Sequence, residues 1–117
     1  MAEVAVVDGA LRVRLSPVEK VEAVHGDIQV APADVVEVEV VDDPFKAVHG
    51  FRAPGTGVPG VVAVGTWRGG GRKVFVVLHH GQKAVRIRLK DAAFDELLIG
   101  AEDAAGLAAE LRDALGR

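Results

Sequence analysis

Apolar and polar positions alternate with a period of two over most of the chain, and only two segments repeat at helical spacing. EVAVV (3–7) and LRVRL (11–15) flank Asp8-Gly9, a dipeptide suited to a tight hairpin turn. In the second run Leu11, Val13 and Leu15 share one face, and Arg12 and Arg14 the other, as in a half-buried strand. SPVEKVEAVHG then changes period. Ser16 and Glu19 form an S-x-x-E capping box, and Pro17 occupies the first helical position. A short helix is predicted near 17–24, with Val18, Val21 and Val24 as its apolar stripe and Gly26 closing it in a left-handed conformation.

DIQVA (27–31) and VVEVEVV (35–41) read as strands, with Glu37 and Glu39 on one side of the second. Asp42-Asp43-Pro44 stops that strand, and residues 44–60, rich in Pro and Gly, are predicted to form a long loop of the kind that often carries function. A meander follows: VVAVGTW (61–67), a turn at Gly69-Gly70-Gly71, KVFVVL (73–78), a turn at His80-Gly81-Gln82, and AVRIRLK (84–90). FDELLIG (94–100) is a last short strand. In the closing helix, Ala104, Leu107, Ala108, Leu111 and Leu115 fall on one face, with Asp103 as its cap. The prediction is one mainly β (α+β) domain spanning 1–117.

RAPGTGVPGVVAVGTW (52–67) contains a literal G-x-G-x-x-G at Gly55, Gly57 and Gly60. A dinucleotide site needs a strand before such glycines and a helix N-terminus after them, to supply free amides and a positive dipole end. Here β-branched VVAVGTW follows, and residues 68–90 contain no Asp or Glu to hold a ribose. No Gly-Lys-Ser/Thr follows either. The glycines therefore read as a constrained turn, stiffened by Pro54 and Pro59.

Composition narrows the chemistry. With no Cys, thiol nucleophiles, disulfides and zinc-thiolate sites are excluded. Tyr is absent, and Ser16, the one serine, is occupied as a cap. The net charge of −3 argues against a nucleic-acid binder. The longest apolar runs fall far short of a membrane span, and the N-terminus lacks a signal pattern, so a cytoplasmic protein is expected. Heavy use of Val and Ala resembles that of GC-rich bacterial genomes.

Charge is segregated. Arg68, Arg72, Lys73, Lys83, Arg86, Arg88 and Lys90 form an acid-free block, whereas residues 16–45 hold eight acids against Lys20 and Lys-free strands. The block reads either as an anion- or membrane-facing patch or as a solvated strand face, with Arg86 and Arg88 paired to Glu37 and Glu39 across sheets or between molecules. His49 and Arg52, in the 44–60 stretch, could serve an anion or a proton transfer, or simply hold the loop through its carbonyls. The histidines at 25, 49, 79 and 80 lack metal-ligand spacing, so no metal or cofactor is expected. Trp67, the sole tryptophan, reads as a core anchor.

The succession GDIQVAPADVVEVEVVDDP, FRAPGTGVPG, GTW with GRKVFVVLHHGQKAVRIRL, and FDELLIGAEDAAGLAAEL resembles uncharacterised bacterial proteins with a pleckstrin-homology-like (PH-like) fold. The resemblance covers about residues 3–115. It implies two orthogonally packed antiparallel sheets in a partly open barrel capped by helix 102–115. Many eukaryotic members of that superfold bind phosphoinositides through basic residues of the first hairpin loop; here that turn is Asp8-Gly9-Ala10, without a cation. The expected function is a non-catalytic interaction module with a protein partner or a second copy. One alternative is a peripheral anion or phospholipid binder using Arg68, Arg72, Lys73, Arg86 and Arg88. The other is a small acid/base enzyme centred on His49 and Arg52.

Overall fold

In a computed structural model of the chain, residues 2–48 and 50–116 are described, with only the backbone considered at 51–54. The elements run β1 (Glu3–Val7), β2 (Ala10–Arg14), α1 (Pro17–Ala23), β3 (Ile28–Val30), β4 (Val35–Val41), β5 (Phe51–Val58), β6 (Val62–Gly69), β7 (Arg72–His79), β8 (Lys83–Leu89), β9 (Glu96–Ala101) and α2 (Ala104–Ala114). Strands β1-β2-β3 form one sheet, and β4-β8-β9-β7-β6-β5 the other.

The β1–β2 hairpin forms where the turn dipeptide predicts it. Val7 pairs with Ala10, and both Asp8 (φ 50°) and Gly9 (φ 77°) adopt the left-handed conformation that matches strand twist. The capping box of α1 closes reciprocally: Glu19 N donates to Ser16 Oγ at 3.2 Å and Ser16 N donates to Glu19 Oε1 at 2.9 Å. The helix ends at Val24, itself left-handed at φ 53°, and not at Gly26. For a β-branched residue that conformation costs about 1–2 kcal/mol. The predicted apolar stripe also faces the wrong way for a core: Val18, Val21 and Val24 are 68%, 78% and 67% exposed, while Glu19 and Ala23 are buried.

Between the sheets lies the main core. Leu11 and Val13 of the small sheet meet Phe75, Val77, Ile87, Leu97 and Ile99 of the large one, with Ala108 and Leu111 of α2 closing one side. Each fully buried Leu, Ile or Phe contributes roughly 1.5–3 kcal/mol. Asp103 caps α2 by accepting from Gly106 N at 3.0 Å. Arg112 donates from Nε (3.0 Å) and Nη2 (2.6 Å) to the carbonyl of Val38, blunting the edge strand β4.

Two expectations are corrected. The 44–60 segment is not one loop: a 3-10 turn spans Pro44–Ala47, and Phe51–Val58 is strand β5, paired with β6. Pro54 and the glycines argue against a strand locally, but an edge position needs no ladder N–H on its outer side, and the register shifts between Arg52 and Gly55. A Cβ at Gly55 would come 2.5 Å from Val64 O and 2.8 Å from Gly65 Cα, so the strands approach too closely there for any side chain. The glycine motif thus serves strand contact.

The large sheet is also mixed and not wholly antiparallel. Strand β9 enters between β7 and β8, pairing antiparallel with β8 and parallel with β7. Once a strand is wedged between two antiparallel neighbours, one pair must be parallel. The three-residue link His80–Gln82 therefore crosses the end of β9, and the Gln82 side chain occupies the space a Cβ on Gly100 would need.

Candidate functional site

Alternation gives the large sheet a second apolar face, turned away from the small sheet. It carries Ala63 and Trp67 from β6, Val76 and Leu78 from β7, Ala84 from β8 and Leu98 from β9. The chain covers part of it itself. Asp43 and Pro44 end β4, and the 3-10 turn lays Phe45, Ala47 and Val48 against the centre of that face. Lys46 Nζ pairs with Asp43 Oδ2 at 3.2 Å across the turn.

Val48 and Trp67 separate two clefts. The first, about 210 Å³, is bounded by Val48, Trp67, Arg72, Val74, Arg86 and Glu96. The second, about 390 Å³, is lined by Phe45, Val48, Val58, Pro59, Val62 and Trp67. One has charged side chains in its wall, and the other is mostly apolar, with Lys46 among its lining residues. Trp67 is 8% exposed, so its ring forms the shared floor of both.

The polar wall is an ion-pair ladder. Arg72 Nη2 donates to Glu96 Oε1 at 3.1 Å, and Glu96 is buried. Arg86 Nε donates to Glu39 Oε1 at 2.6 Å. Arg88 lies 3.6 Å from Glu39 and 3.9 Å from Glu37. The contacts of Arg86 and Arg88 follow from the β4–β8 register, which sets Glu39 opposite Arg86 and Glu37 opposite Arg88, whereas Arg72 reaches Glu96 from β7 to its neighbour β9. A buried carboxylate such as Glu96 is retained only with a partner, because desolvating an unpaired charge is costly.

The residues singled out in the sequence are dispersed. Arg72 and Arg86 border the first cleft, and Arg88 lies further along the same face. By alternation Arg68 projects to the opposite face, and Lys73 does too, its Nζ 4.8 Å from the Phe94 ring centre. His49 and the Arg52 side chain lie outside the described residues; the Arg52 backbone pairs with Trp67. Sequence reasoning missed Glu96, Phe45 and Val48. The one available signal was Glu96 itself, an acid inside the apolar run FDELLIG.

A second polar centre lies between the sheets. Glu19, 2% exposed, accepts from Ser16 N (2.9 Å) and Ala2 N (3.1 Å), and His79 Nε2 lies 3.0 Å from its Oε2. Burial alone would raise the Glu19 pKa, but the hydrogen bonds from Ser16 and His79 outweigh it and hold the carboxyl below its ordinary value. Its lone pairs are thereby committed to the frame. Among the described residues no three His, Asp or Glu side chains group as metal ligands, and no helix is long and apolar enough to cross a membrane.

Comparisons with protein families, with curated proteins and with solved structures return no match.

Proposed function

We propose that the chain is a non-catalytic binding module whose contact surface is the double cleft around Trp67, and that its partner presents an extended peptide segment. The observation that carries this reading is the junction of an apolar cleft and an ion-paired one at a single indole. Such a junction suits an apolar side chain in the larger cleft, followed by a polar or charged group at Arg72 and Glu96. Large rigid aromatics with a polar rim are what binding hot spots use. The two-sheet architecture with a C-terminal helix supports a PH-like frame for the module.

Pairing of Arg72, Arg86 and Arg88 with Glu96, Glu39 and Glu37 favours a peptide over an anionic surface, since these three arginines already have carboxylate partners. A displayed random-peptide library selected on the wild type and counter-selected on Val48→Lys tests the reading. Enriched peptides are expected to share an apolar residue beside a polar one, to shift Trp67 emission, and to bind Arg72→Ala about tenfold more weakly. Enriched peptides that bind Val48→Lys equally well and leave Trp67 emission unmoved would overturn it, as would salt-sensitive flotation with anionic vesicles in place of peptide binding.

A further inference from the structure

The outward stripe of α1 has no use in the fold. Ala23 and the Glu19 carboxylate face inward, and Val18, Val21 and Val24 face solvent. The helix is nonetheless held firmly: Thr56 Oγ1 donates to Glu22 O at 3.0 Å, and Glu19 is bonded as described. Val61, at the connection of the two strands against which α1 packs, is also exposed. A rigid platform presenting β-branched apolar residues to water marks an interaction surface.

We propose that this surface pairs with the same surface of a second copy, about a two-fold axis running along α1. The charges flanking the stripe select that occupant. At about 100° per residue, Lys20 and Glu22 lie on either side of Val21. A two-fold axis parallel to the helices brings Lys20 of one copy beside Glu22 of the other, on both sides of the valines. An antiparallel pairing would set Lys20 against Lys20 and Glu22 against Glu22. The existing partner of Lys20, Asp27, is 3.7 Å away and both side chains are about half exposed, so Lys20 can exchange it at little cost. The apolar contact is small beside the roughly 800 Å² per partner of a standard interface, which makes the dimer weak and concentration-dependent.

The test is sedimentation equilibrium of the full chain from low micromolar to millimolar concentration. The mass is expected to rise from 12.2 kDa toward twice that value. Val21→Asp, at a position too exposed to affect folding, is expected to weaken association about tenfold or more. Lys20→Glu and Glu22→Lys should each weaken it alone, and an equimolar mixture of the two should restore it. A mass that stays monomeric throughout, an association indifferent to Val21→Asp, or a mixture no better than its components would overturn the proposal. So would a Val21-dependent attachment to lipid vesicles without any change in mass.

Discussion

His79 Nε2 lies 3.0 Å from Glu19 Oε2, joining the last residue of β7 to the first turn of α1. The contact spans sixty positions of sequence and ties the large sheet to the helix that follows the β1–β2 hairpin.

Because the folded chain holds the Glu19 proton less tightly than the unfolded chain, this carboxylate stabilises the fold at pH values above the ordinary glutamate value of 4.5, and the contribution is lost as pH falls through its lower folded value. Glu19→Gln is expected to cost about 1–3 kcal/mol at pH 7. Urea unfolding at pH 7 and at pH 3 should show the gap between variant and wild type closing in acid. A gap of equal size at both values would contradict the role given to Glu19.

At Gly55 the β6 backbone fills the space a side chain needs, and φ is +155°. Gly55→Ala is expected to destabilise by about 2–4 kcal/mol, because the β5–β6 pair must separate. Gly60→Ala, also at positive φ but in open space, should cost only about 1 kcal/mol. Comparable losses at the two glycines in denaturant titrations would show that the close strand approach is not what constrains the motif.

Trp67 reports alone on the double cleft, since the chain has no other tryptophan and no tyrosine. Native emission is expected at the short wavelengths of an apolar site. Phe45→Ala should shift it to the red while far-ultraviolet circular dichroism stays unchanged. Trp67→Ala should cost about 3–5 kcal/mol.

Val24→Gly is expected to raise the unfolding free energy of the monomer by about 0.5–1 kcal/mol, by relieving a left-handed β-branched residue. The same change removes one valine from the proposed dimer surface. Thermal unfolding at low concentration and sedimentation at high concentration should therefore move in opposite senses.

Local rules carried the sequence reading far where partners lie close along the chain. Asp8-Gly9, the Ser16–Glu19 box and the Asp103 cap depend on neighbours three residues away or fewer, and all three form. Alternation also showed that Glu37 shares a face with Glu39, and Arg86 with Arg88, but they pair as neighbours within one sheet, through the β4–β8 register, and not across sheets or between molecules. Distance defeated the rest. β5 lacks strand propensity and is extended because β6 is beside it. The inward side of α1 was decided by Ser16, Ala2 and His79 converging on Glu19, which outweighed the burial of three valines. The clefts exist because Phe45 and Val48 fold back over a sheet whose strand order no local pattern reveals.

Strand β9 occupies the middle of its sheet, yet it is the last strand made. On one side of it β4 pairs with β8, on the other β7 pairs with β6 and β6 with β5, and these halves share no hydrogen-bonded edge except through β9. The two halves are thus one sheet only by way of β9, so a substitution that loosens this strand uncouples both at once.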